Sequence, residues 1–102
     1  MNMNIQNLMR EAQKMQKDLE KTQKSLESNE YVGESSFVKV VLNGKKQMKK
    51  ISIDFEGTLS EKDDFEMLED MILLAFNDAS KKVDEDKEKK LGKYGSGLAG
   101  LM

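Results

Sequence analysis

Five basic side chains, Arg10, Lys14, Lys17, Lys21 and Lys24, stand in a row near the start of the chain, separated alternately by four and three positions. On an α-helix that alternation keeps all five on one face. Fourteen residues of helix rise by about 21 Å, the length of roughly six base pairs of a nucleic-acid duplex. A row of point charges with no aromatic side chain between them suits contact with phosphates and carries nothing that reads bases. The same row also fits an ordinary solvated helix face whose lysines pair with carboxylates, and Glu11, Asp18, Glu20 and Glu27 flank it. A second group of bases, Lys81, Lys82, Lys87, Lys89, Lys90 and Lys93, is a weaker signal. There Glu85 and Asp86 precede Lys89 and Lys90 by four residues, the spacing of local helix ion pairs.

Catalytic chemistry has little to work with. The chain contains no histidine and no cysteine, which removes the usual base at neutral pH, the thiolate nucleophile and the common zinc ligands. Ser25, Ser28, Ser35, Ser36 and Ser96 therefore have no imidazole to activate them. Glu66, Glu69 and Asp70 share a helical face and would offer oxygen ligands to a hard cation, but a solvated acidic turn near a helix start accounts for them more simply. Gly92-Lys93-Tyr94-Gly95 lacks the preceding glycine and strand of a phosphate loop. The expectation is a protein that is not an enzyme, with no cofactor, no metal and no small-molecule substrate.

These residues must be held by a small scaffold. The 102 residues make one domain, 35% charged and of net charge −2. The charge is unevenly spread: residues 1–29 carry +1, 30–55 carry +2, 56–80 carry −7 and 81–102 carry +2. Ile5, Leu8, Ala12, Met15, Leu19, Thr22 and Leu26 form a heptad seam, which predicts a helix over about 4–28. Tyr31 to Glu34, Phe37 to Leu42 and Met48 to Phe55 read as strands, and Asn43-Gly44 as a two-residue hairpin turn with positive φ. Ser60-Glu61-Lys62-Asp63 resembles a capping box ahead of a long helix that runs to Leu91, with Gly92 as its C-cap.

The fold expected is α+β: an N-terminal helix, a three-stranded antiparallel sheet with an Asn-Gly hairpin, and a long C-terminal helix. Residues 1–91 form the domain, and the glycine-rich 92–102 are a flexible tail. No apolar run approaches the ~18 residues of a membrane span and no secretory signal is present, so the expected location is cytoplasmic.

Self-association is the stronger theme in the apolar pattern. Phe65, Leu68, Met71, Ile72, Ala75 and Phe76 girdle the second helix more widely than one three-stranded sheet can cover. Exposed apolar surface of that size marks an interface, here with a second copy.

At this point several segments resemble one family. Asn7 to Gln16, Gly33-Glu34-Ser35, Val38-Lys39-Val40, Asn43-Gly44, Ile51 to Asp54 and above all Glu66 to Ala79 are similar to the YbaB/EbfC nucleoid-associated proteins. The resemblance implies a tweezer-like homodimer with paired sheets and protruding helices. It also implies binding to duplex DNA with little sequence specificity, nucleoid association and an influence on gene expression. Carried onto this chain, the gripping helices point to the Arg10–Lys24 row and to Lys81, Lys82, Lys89 and Lys90. Two positions depart from the family pattern: Ser35-Ser36-Phe37 replaces a glycine-rich stretch, and Phe55 replaces a proline. A different class of reading is a chaperone-like or adaptor module that clasps a protein through the methionine-rich N-terminus and through Leu98 and Leu101 in the tail.

Overall fold

The computed structural model describes residues 4–94, apart from the Lys93 side chain. The order is α1 (Ile5–Ser28), β1 (Tyr31–Ser35), β2 (Val38–Leu42), β3 (Met48–Ile53) and α2 (Lys62–Leu91), followed by a 3₁₀ turn (Gly92–Tyr94). This is the α+β order that the period changes predict. The described chain measures 76 × 19 × 14 Å, because both helices run beyond the sheet they flank. The remainder of the expected tail, residues 95–102, lies outside the described residues, as do residues 1–3.

Helix α1 begins where the Asn4 side chain accepts the Gln6 amide at 3.0 Å, a standard way to satisfy an orphan N–H. At the start of α2 the expected capping box is shifted by one residue. Glu61 is the N-cap, and the Asp64 carboxylate accepts the backbone N–H groups of Glu61 (3.1 Å) and Ser60 (3.2 Å). Those two bonds favour the charged form and hold Asp64 below the ordinary carboxylate range. Gly92 ends α2 as expected but keeps right-handed geometry, φ −57°, so the chain tightens into the 3₁₀ turn.

The sheet is antiparallel in the order β1-β2-β3. Its first turn, Ser36-Phe37, joins the paired Ser35 and Val38, and Ser36 supplies the positive φ of 52°. The second turn differs from expectation. Asn43-Gly44 lies at the β2–β3 hairpin, but neither residue adopts positive φ; Lys46 does, at 61°. Lys46 N–H donates to the Asn43 carbonyl at 2.9 Å, and the Asn43 side-chain oxygen accepts from Lys45 N–H (2.9 Å) and Gln47 N–H (3.0 Å). Asparagine acts through its side chain here, mimicking a backbone turn.

Gly44 is needed for space instead. A Cβ there would lie 1.9 Å from the Leu26 carbonyl oxygen, so the hairpin tip presses directly on the end of α1.

The core sits between α2 and the first two strands. Tyr31, Val38, Val40 and Leu42 pack on Ala75, Ala79 and Val83, with Phe37, Leu68, Met71, Ile72 and Phe76 around the margin. Small residues let helix and sheet approach closely: a Cβ on Gly33 would sit 2.0 Å from the Ala75 carbonyl oxygen. Ala75 is therefore a core residue of the single chain, fully buried, and not the partner-facing residue expected.

Helix α2 covers β1 and β2 and leaves β3 aside. Met48, Ile51 and Ile53 are registered with Leu42, Val40 and Val38, so they share the helix-facing side of the sheet. They remain 41–45% exposed.

Candidate nucleic-acid interface

Helix α1 carries its basic row on an arm. Every residue from Asn4 to Asp18 is exposed, and burial begins only at Leu19, Thr22 and Leu26. Leu26, fully buried, anchors the helix at its foot against the hairpin. The heptad seam is therefore covered at its C-terminal end only, and Ile5, Leu8 and Met15 are 69%, 47% and 57% exposed.

Arg10, Lys14, Lys17, Lys21 and Lys24 are all exposed. None has a carboxylate within 4.0 Å among the described residues, whose ion pairs all involve other lysines. The flanking Glu11, Asp18 and Glu20 do not neutralise the row by direct pairing. Five undischarged bases on one helix face leave a strip of positive potential open to solvent.

The bases of α2 divide differently. Lys82 donates to the Val32 carbonyl at 2.7 Å and pairs with Asp78 at 3.3 Å. Asp78 in turn accepts Glu34 N–H at 3.0 Å. These two side chains close the free edge of β1. The Glu34 amide, more than Lys82, holds the Asp78 carboxyl below its usual range.

Lys90 pairs with Asp86 at 3.0 Å, as the four-residue spacing predicts, whereas Glu85 pairs with Lys81 at 3.9 Å instead of Lys89. Lys89 alone of these four has no carboxylate within 4.0 Å among the described residues.

Asp86 links the helix to the strand. Its carboxylate accepts the Tyr31 hydroxyl at 2.6 Å. Burial disfavours the charge on Asp86, but the bonds from Tyr31 and Lys90 outweigh it and leave the carboxyl below the usual range. The Tyr31 phenol is pushed up to about 12, first by burial and then by its bond to Asp86.

The two basic groups separated in sequence meet in space. Lys21, Thr22 and Ser25 of α1 line one open cleft with Lys89 and Lys90 of α2. The cleft thus joins the foot of the α1 row to the end of α2. Lys81 and Lys82 lie further along α2 and do not line it.

The acidic cluster of Glu66, Glu69 and Asp70 is exposed, and no three such groups converge to hold an ion among the described residues. No described helix is long and apolar enough to cross a membrane.

Of the expected partner-facing side chains, Phe65 is 47% exposed while Leu68, Met71, Ile72 and Phe76 are half-buried against the core margin. Leu73 and Leu74, 63% and 51% exposed, fall within the stretch from Phe65 to Phe76 expected to seek a partner, but sequence reasoning missed that the apolar face of β3 is left bare. The alternation of Ile51 and Ile53 was the available signal for β3, but alternation does not reveal which strand a helix will leave bare. It also left Lys45, Lys46, Lys49 and Lys50 unassigned, although Lys-Lys-Gln-Met-Lys-Lys is the densest basic run in the chain.

The sequence profile of the YbaB/EbfC DNA-binding family matches residues 1–98. The chain is similar to proteins named nucleoid-associated protein from Streptococcus pneumoniae strains Hungary19A-6 and CGSP14. Each is 42% identical over 98 residues, which is 94% of this chain and 97% of the relative.

Proposed function

The chain belongs to the YbaB/EbfC DNA-binding family, and from that premise we propose that it is a nucleoid-associated protein that binds duplex DNA as a homodimer. The contacts are chiefly to phosphates and have little sequence preference. The observation that carries this reading is the α1 row: five exposed bases without carboxylate partners among the described residues, joined at its foot by Lys89 across the cleft. Lysine and arginine side chains of this kind supply the sequence-independent part of DNA affinity through counterion release. Nothing in the row offers the planar, converging donors that read base edges.

The homodimer reading rests on the unequal edges of the sheet. Lys82 and Asp78 cap β1, whereas among the described residues no side chain caps the edge of β3, which also presents the apolar face of Met48, Ile51 and Ile53. The first half of α2 adds Phe65, Met67, Leu73 and Leu74. A second copy joined through these surfaces removes both liabilities at once and leaves two α1 arms projecting.

A mobility-shift titration of duplex DNA at two salt concentrations tests the binding. A shift at micromolar dimer that weakens steeply with salt is expected, and its absence sinks the reading. Reversing Lys14, Lys17 and Lys21 to glutamate is expected to weaken binding to unrelated sequences equally.

One observation favours a second reading: the α1 arm also exposes Ile5, Leu8, Met9 and Met15, an apolar strip suited to clasping a protein. The tail residues Leu98 and Leu101, invoked for such a clasp, lie outside the described residues. Suppression of client aggregation that survives loss of the basic row is the outcome that selects it.

A further inference from the structure

We propose that the tip of the β2–β3 hairpin, through Lys45, Lys49 and Lys50, is a second contact surface for the phosphate backbone of a nucleic-acid duplex. The inference rests on the DNA-binding reading and adds residues to it that neither helix supplies. Four lysines fall within six residues here, and the structure assigns them unequal tasks. Lys46 works internally: it takes the positive-φ position and pairs with Asp84 on α2 at 2.9 Å. Lys45 reaches Glu27 only at 3.9 Å, with both side chains near half exposure, so the pair is weak. Lys49 and Lys50 are exposed and have no carboxylate within 4.0 Å among the described residues.

The loop that presents them is firmly built. Asn43, 8% exposed, has its backbone N–H on the Gln47 carbonyl at 3.0 Å. Its side-chain amide donates to the Gln47 side-chain oxygen at 2.8 Å, while its side-chain oxygen holds the two loop amides described above. Gly44 N–H donates to the Glu27 carbonyl at 3.3 Å, where only a glycine fits against Leu26. The tip is thereby fixed to the foot of α1, beyond the end of the Arg10–Lys24 row. A rigid carrier lowers the ordering cost of presenting lysines to a ligand.

Strand β3 also carries a bulge. Val41 pairs with Lys50 and Leu42 with Met48, which leaves Lys49 as the extra residue. Bulges turn a side chain out of the regular alternation. Lys50 is registered with Val41 and so faces away from α2, on the side of the sheet opposite Ile51. Lys50 is thus kept off the apolar face offered to a second copy. Lysines on an edge strand also discourage stray strand pairing, but Lys45 sits in the turn, where there is no edge to guard.

The test is a salt titration of duplex-DNA affinity for the whole chain and for the variant Lys45→Gln/Lys49→Gln/Lys50→Gln, with circular dichroism and solution mass measured on both. Each lost phosphate contact should flatten the plot of log K against log salt by about 0.9. A shallower slope at unchanged fold and mass supports the proposal. An unchanged slope overturns it, whether or not the variant alters self-association. If the slope is unchanged but Lys14→Glu/Lys17→Glu/Lys21→Glu abolishes binding, only the hairpin assignment fails. If the unaltered protein shows no salt-sensitive binding, the DNA reading fails and takes this one with it.

Discussion

The two helices of this chain use their basic residues in opposite ways. Helix α1 buries one residue, Leu26, and keeps five bases without carboxylate partners among the described residues. Helix α2 buries Ala75, Ala79, Val83 and Leu91 and ties Lys82 and Lys90 to the strand edge and to Asp86. Their charges look alike in the sequence. The difference arises because α2 lies across a sheet whose backbone and carboxylates compete for its lysines, whereas α1 leaves the body after two turns. A surface lysine is available to an outside ligand only where the fold has no use for it.

The largest expected contrast is in stability. Leu42→Ala, fully buried, should cost about 3 kcal/mol and Gly33→Val at least as much, read from urea unfolding midpoints. Leu8→Ala on the exposed arm should cost under about 0.5 kcal/mol. A comparable loss at Leu8 would mean that the arm is packed in solution.

Self-association comes next. If the chain pairs as proposed, Ile51→Asp with Ile53→Asp should convert the dimer to monomer by solution mass while leaving the helical circular dichroism spectrum intact. A dimer that persists would place the interface elsewhere.

Substituting bases on the two helices should give opposite outcomes. Lys82→Gln should lower the urea unfolding midpoint, since the Val32 carbonyl and Asp78 lose a charged partner, with little effect on DNA affinity. Lys17→Gln should do the reverse, reducing the salt slope by about 0.9 without moving the unfolding midpoint.

The pH profile follows from the groups that anchor α2. Asp64, Asp78 and Asp86 have carboxyls held low, so they stabilise the fold above their unfolded value of about 3.9 and cease to as pH falls below it. Tyr31 is raised, so its contribution is complete below an unfolded value of about 10 and is lost as pH climbs towards about 12. Asp86→Asn should shrink both limbs of a stability-against-pH curve, because the two groups share one hydrogen bond.

The one gain in stability is expected at Ser36. Glycine there relieves a positive φ of 52° and should stabilise the fold by about 1 kcal/mol.

Much of this scaffold is legible in the sequence. The switch from a seven-residue to a two-residue apolar period marks the α1–β1 boundary, and the β-branched Val38 and Val40 face the core as their alternation implies. The row's position opposite the seam is legible too, although along the arm the seam itself is as exposed as the row.

What the sequence hides is competition among partners. Spacing pairs Glu85 with Lys89, but Glu85 reaches back to Lys81. Asn43-Gly44 has the signature of a tight turn, yet Gly44 is required by the passing end of α1, and Lys46 bears the strained angle. Ala75 belongs to an apolar stripe that suggests a partner, but Gly33 opens the space that absorbs it. The bareness of β3 depends on where α2 crosses the sheet, which no local pattern states.

The proposed binding requires that the α1 arm hold duplex DNA by its phosphates. The slope of log affinity against log salt tests it directly, measured for the protein and for a variant with Arg10, Lys14, Lys17, Lys21 and Lys24 changed to glutamine. Loss of five contacts predicts a slope shallower by about 4.5 per protomer in the variant, with mass and fold unchanged. A steep slope that the variant retains would contradict the account.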